Sequence, residues 1–156
     1  MSTTVPAPNG APPASPTASA AAAGDDAARR YDAAALREYA SDLLLRIGVR
    51  EDIAGDVAAV LVDGDLMGHT THGLALLPGY LQALCDTDMR RDGEPTTLAS
   101  SPAAETWDGN RLPGPWLTLR ALESARRMAS VQGTGTVVVR RSHHIGCLAS
   151  YAKQPM

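Results

Sequence analysis

Three consecutive valines, Val137-Val138-Val139, run into Arg140-Arg141-Ser142-His143-His144-Ile145-Gly146, and this stretch constrains the fold more than any other. A β-branched run favours an extended strand, and a strand needs partners in a sheet before it is stable. Only one other segment, Ala103 to Trp107, reads as a strand, closed by the turn dipeptide Asp108-Gly109. The rest of the patterned sequence is helical. Helices first, then strand, helix, strand, predict an α+β (mixed α/β) fold, with further sheet expected beyond Met156 and the chain therefore read as truncated. Ser142 to Gly146 reads as a loop and Cys147 to Lys153 as the opening of a helix. A histidine in a strand-to-helix loop is well placed to move a proton.

The 156 residues suggest one domain, but residues 1–30 cannot contribute a core. Apart from Met1 and Val5 their only apolar side chains are alanines. Ser2 to Gly24 is Ala, Pro, Ser and Thr in long runs, which bury too little apolar surface to offset the entropy of ordering, so a flexible tail is expected. It lacks the basic and leucine-rich regions of a signal peptide and, before Arg29, the arginines of a transit peptide. No apolar run is long enough to span a bilayer. Cys85 and Cys147 are far apart with no CxxC, so a reducing, cytoplasmic compartment is the expectation. A formal charge of -3 argues against nucleic acid, whose binding needs clustered Lys and Arg.

Leu36, Tyr39, Leu43, Leu44 and Ile47 recur at helical spacing after a candidate Asp32 cap, with Gly48 as the stop. A second helix begins near Glu51, carries Ile53, Val57, Val60, Leu61 and Met67 on one side, and ends near Gly68. Leu74, Leu77, Leu81 and Leu84 continue the period, but Pro78 must kink that helix or begin a new one. Asp86 to Ser101 reads as a surface connection. Leu112 to Trp116 reads as a stiff connector, and Leu119, Leu122, Ala125, Met128 and Ala129 form a fourth helix that stops before Gly133. The expected organisation is a tail over 1–30, a helical segment over 31–85, and over 86–156 the incomplete start of an α/β catalytic domain.

Four features invite a chemical reading. Gly133-Thr134-Gly135 precedes a strand, whereas a dinucleotide fingerprint follows one and has a third glycine, so a plain turn is favoured. His69 and His72 with His143 and His144 suggest zinc, yet no carboxylate or cysteine lies at ligand spacing, so no metal is expected. Cys147 at a helix start suits a reactive thiol, although a small buried hydrophobe is the commoner outcome. Gly68-His69-Thr70-Thr71-His72-Gly73, ahead of a helix, can offer N–H groups and the Thr71 hydroxyl to a carboxylate, or simply cap that helix with Thr71. His144 belongs with this last group, since an imidazole's ordinary pKa near ~6.5 suits acid–base work.

The run from Asp65 to Tyr80, with Thr71-His72-Gly73 followed by Leu77-Pro78-Gly79-Tyr80, resembles a signature of the type-2 malate/L-lactate dehydrogenase family. Arg141-Ser142-His143-His144-Ile145-Gly146 through Tyr151 is similar to that family's second signature, and Asp108-Gly109 before the fourth helix also fits. The resemblance covers nearly all of Tyr31 to Ala152. It implies a non-Rossmann fold and the NAD- or NADP-dependent interconversion of small 2-oxo, 2-hydroxy or cyclic imino acids. His144 then aligns with the acid–base histidine, and Thr71 and His72 with a Ser-His pair lining the substrate site. Cofactor-binding residues are not identified, because most such segments of the family lie beyond Met156. Leu76 stands where many members carry arginine, and Ile145 where phenylalanine is usual. The resemblance implies a small-molecule substrate and, for a full-length chain, a homodimer. The reading is thus an oxidoreductase chain that is inactive alone. The alternative is a non-catalytic helical module that pairs with a full-length dehydrogenase subunit.

Overall fold

Asp32 caps the first helix as its sequence suggests: its carboxylate accepts the Ala35 N–H at 2.8 Å, satisfying a donor the helix start leaves open. In the computed structural model, which describes residues 30–152, this helix, α1, runs Ala33–Arg46 and stops ahead of Gly48. The expected tail over Ser2 to Gly24 and the end of the last helix at Lys153 lie outside the described residues. Helix α2, Glu51–Leu66, lays Ile53, Val57 and Leu61 against Ala40 and Leu44 of α1. Beyond it, Thr70–His72 and Leu74–Leu76 form two 3-10 turns before α3, Leu77–Cys85. Pro78 thus begins a helix, in the first turn, where a missing N–H costs nothing.

The sheet has three strands in the order β1 (Thr96–Ser100), β2 (Ala104–Asp108), β3 (Thr136–Arg140). β1 pairs antiparallel with β2 through a register break between Thr97 and Ala99, and β2 pairs parallel with β3, Asp108 opposite Arg140. β1 corrects the expectation of an unstructured connection over Asp86 to Ser101. All five of its residues are exposed, so no apolar alternation betrays it, and its ladder to a later strand holds it. After β2 the chain turns as expected, although the left-handed positions are Asn110 (φ 52°) and Arg111 (φ 59°) rather than Gly109.

Helix α4, Gly114–Gln132, begins inside the stretch expected to be a stiff connector. Trp116 and Leu117 are buried in its first turn, and Ala121 and Ser124 continue the buried line, whereas Leu119, Leu122, Ala125 and Met128 are half-buried. The helix packs on α2 and on β3 together, so its apolar residues do not form a single stripe. Trp116 donates its indole N–H to Asp52 at 2.9 Å, and the guanidinium groups of Arg50 and Arg120 both lie over its ring. One hydrophobic core draws on both sides of residue 85: Leu44, Ile53, Leu61, Leu77, Tyr80 and Leu84 meet Leu112, Trp116 and Leu117.

Candidate functional site

The parallel strands β2 and β3 end side by side, and the loop with the paired histidines leaves from that end. Asp108, 3% exposed, accepts hydrogen bonds from Arg141 at 2.8 Å and Arg140 at 3.2 Å and from the Asn110 N–H at 2.9 Å. The Arg141 guanidinium, then the Asn110 amide and Arg140, hold its carboxyl down to about 2. This clasp sets the exit of the chain, with Arg141 in a left-handed conformation (φ 51°).

From there three elements grip the loop. Gly114, at the start of α4, lies so close beneath it that an added Cβ would strike the carbonyl oxygens of His143 and His144. Tyr80 of α3 donates its hydroxyl to the His144 carbonyl at 2.6 Å. Tyr151, in the short helix α5 (Ala149–Ala152), donates to the Ile145 carbonyl. The Gly146 N–H then donates to Nδ1 of His144 at 3.0 Å.

This places the two histidines in different surroundings. His144 is exposed in an open cleft of about 510 Å³, which it shares with His69, His72, Ile145, Gly146, Cys147, Leu148 and Ala149. The His72 and His144 rings are 5.7 Å apart between centroids, tilted by 33°. His143 lines another cleft with Asp88, Arg111, Arg141 and Ser142, its ring edge-on to Tyr80 at 5.5 Å. Its Nδ1 is buried without a hydrogen-bond partner among the described residues, and burial, followed by the charge of His144, pushes its pKa below the ordinary histidine range.

Thr71 is not among the residues lining the cleft; its hydroxyl lies 3.0 Å from Nδ1 of His72, so it acts on the orientation of that ring. The expectation that Thr71 stands at the start of an α-helix is corrected, because it lies in a 3-10 turn and α3 begins six residues later. The anion seat expected there is also filled from within: the Asp65 carboxylate accepts the Leu74 N–H at 2.8 Å. Cys147 is buried, 5% exposed. The roles of Asp65, Asp108, Tyr80 and Tyr151 were not legible from motif matching. The two tyrosines did carry a signal, since Tyr80 sits on the same helical face as Leu77 and Leu84, and a buried phenol needs a partner for its hydroxyl.

A mixed helix-and-sheet domain here brings imidazoles from the turn after α2 and from the loop after β3 into one cleft. The sequence model described as malate/L-lactate dehydrogenase matches residues 31–156, and the chain belongs to that family. It is 33% identical over 102 residues to 2,3-diketo-L-gulonate reductase of Mannheimia succiniciproducens, covering 65% of this chain and 31% of that protein. With L-sulfolactate dehydrogenase of Methanocaldococcus jannaschii the identity is 33% over 115 residues, covering 74% and 33%. Among solved structures, malate dehydrogenase from Pyrococcus horikoshii superposes with a TM-score of 0.77 at 27% identity, covering 80% of this chain and 36% of that one. The chain spans about a third of the length of the curated relatives it matches.

A nicotinamide cofactor carries phosphates, which call for cationic side chains or free backbone N–H groups. The residues lining the histidine cleft include no lysine or arginine. At Gly133-Thr134-Gly135 the open side of Gly135 is filled by the Ala125 carbonyl, so that turn is no phosphate cradle. Neither the histidine cleft nor the Gly133-Thr134-Gly135 turn therefore offers a seat for the phosphates of the dinucleotide.

Proposed function

We propose that this chain carries the proton-transfer and substrate-facing part of an NAD- or NADP-dependent oxidoreductase that interconverts a small 2-hydroxy acid and its 2-oxo acid, and that alone it is inactive. The observation that supports this reading is the seating of His144. Its Nδ1 is engaged by a backbone N–H while its Nε2 has no partner among the described residues, on a ring exposed in a cleft with His72 and His69. In reduction the Nε2–H donates to the carbonyl oxygen and passes its proton there as hydride arrives, and the exposed ring regains a proton at Nε2 from solvent; oxidation runs the same path in reverse. His72, oriented by Thr71, faces the substrate across the cleft. Ile145, Leu148 and Ala149 supply an apolar wall.

The test joins residues 31–152 to the remaining part of a full-length relative. In that chimera His144→Ala lowers kcat by roughly two to four orders of magnitude, the range for a positioned acid–base group. A variant with kcat unchanged overturns the assignment.

A further inference from the structure

Gly146 donates its N–H to His144, and the same peptide unit carries the carbonyl of Ile145, which accepts the Tyr151 hydroxyl. A trans peptide is planar, with its C=O and N–H pointing in opposite directions. Whatever fixes the carbonyl therefore aims the N–H. The preceding carbonyl, that of His144 itself, is held by Tyr80, so both peptide planes flanking residue 145 are pinned by phenols from separate helices. Gly146 has φ 73°, a left-handed conformation that suits glycine. Both tyrosines are buried, 2% and 8% exposed, and burial pushes their pKa values above the ordinary phenol range, so each stays protonated and donating.

We propose that Tyr151 and Tyr80 are positioning residues. Tyr151 through the Ile145–Gly146 peptide, and Tyr80 through the His144–Ile145 peptide before it, set the ring orientation and the tautomer of His144, placing its proton on Nε2 toward the cleft. The chemistry follows from counting hydrogens. A neutral imidazole has one N–H and one lone pair, and a backbone N–H directed at Nδ1 demands the lone pair there. It equally selects that nitrogen over the ring C–H that a flipped ring would present. A peptide that accepts at its oxygen is also a stronger donor at its nitrogen, so the Tyr151 bond reinforces the Gly146 bond in one chain of hydrogen bonds. The catalytic use of this arrangement rests on the reading of His144 above; the relay itself does not.

The experiment labels the histidines of the 156-residue chain with ¹⁵N and records long-range ¹H–¹⁵N spectra near pH ~9, above the ordinary histidine range. The expected result is the Nε2–H pattern for His144, with a scalar coupling across the hydrogen bond from Gly146 N to His144 Nδ1. An Nδ1–H pattern, or no coupling, overturns the relay without any mutation. Tyr151→Phe keeps the ring and removes the donor, and Tyr80→Phe is the second variant. Each is expected to convert His144 to a mixture of tautomers with the fold retained. A merely structural role lowers melting temperature and leaves the tautomer in place, and that outcome overturns the proposal. In the chimera, Tyr151→Phe lowers kcat by roughly tenfold to a hundredfold, the range for groups that orient a functional histidine, while KM stays within about threefold. A tautomer shift alongside a fully active His144→Ala chimera overturns the role of His144 and leaves the relay standing. An unchanged tautomer alongside an inactive His144→Ala chimera overturns the relay alone.

Discussion

Asp108 is a carboxylate closed off from solvent and shared by two successive arginines, and its charge is worth most to the folded state where the free group would already be ionised. Its folded pKa, about 2, lies below the ordinary value near ~4. Stability from this group is therefore fully present above pH ~4 and is lost as the pH falls toward about 2. The melting temperature of Asp108→Asn is expected to be lower than that of the parent chain at neutral pH and to change less across that window. Equal slopes for the two proteins would remove Asp108 from the account. The neighbouring histidines differ in consequence as they do in surroundings. In the chimera His143→Ala should cost kcat far less than His144→Ala, since only the second lines the cleft with His72. A larger loss at His143 would move the proton donor by one residue. Thr71→Val removes the hydroxyl that lies against His72, so it is expected to raise KM more than it lowers kcat. Steady-state kinetics with the parent substrate separate the two.

Helix α4 reaches the site through its first residue. A methyl at Gly114 must displace the backbone of His143 and His144, and overpacking of this kind costs about 1–3 kcal/mol. Gly114→Ala should lower the melting temperature by several degrees and disturb the His144 signals, whereas Gly55→Ala, where an added Cβ meets nothing within 4 Å, should not. That contrast between two helical glycines is invisible in the sequence, which shows composition and not approach. The first two helices were legible from helical spacing with clear ends: Asp32, Leu44 and Gly48 mark out α1, and Ile53, Val57 and Leu61 after Glu51 and Asp52 mark α2. α4 was legible in existence but not in start, because it opens with Pro113 and Pro115, which read as a connector. β1 was not legible at all, since an exposed strand has no pattern of its own. At the site, the motif residues His72 and His144 do meet in one cleft. The groups that hold them there come from separate elements, Tyr80 lying 64 residues from the carbonyl it binds, and no local pattern announces such a contact.

At the scale of the molecule, the helical residues before position 85 and the residues of α4 close a common core around Trp116 and Leu117. They are expected to unfold in one cooperative step. Tryptophan fluorescence, which reports Trp107 and Trp116, and far-ultraviolet circular dichroism should give coincident transitions. Two separated transitions would mean that the helical segment and the sheet stand independently. No helix of the described residues is long and apolar enough to cross a membrane. Because the cleft brings three imidazoles but no lysine or arginine, titration of this chain with NADH or NADPH should show no saturable binding. A dissociation constant below the millimolar range by calorimetry would overturn that expectation.

The grip on the histidine loop divides the cleft into parts with unequal freedom to change. The carbonyls of His143, His144 and Ile145 and the Gly146 N–H each meet a helix start, a buried phenol or the His144 ring, so exchange of one residue there is felt by the others. The wall beside it is different: Leu148 is exposed, and the side chains of Ile145 and Ala149 take part in none of those hydrogen bonds. Descendants of such a chain can therefore explore new substrates by resizing Ile145, Leu148 and Ala149 while His144 keeps its place, and a directed-evolution library has its productive diversity in those three positions.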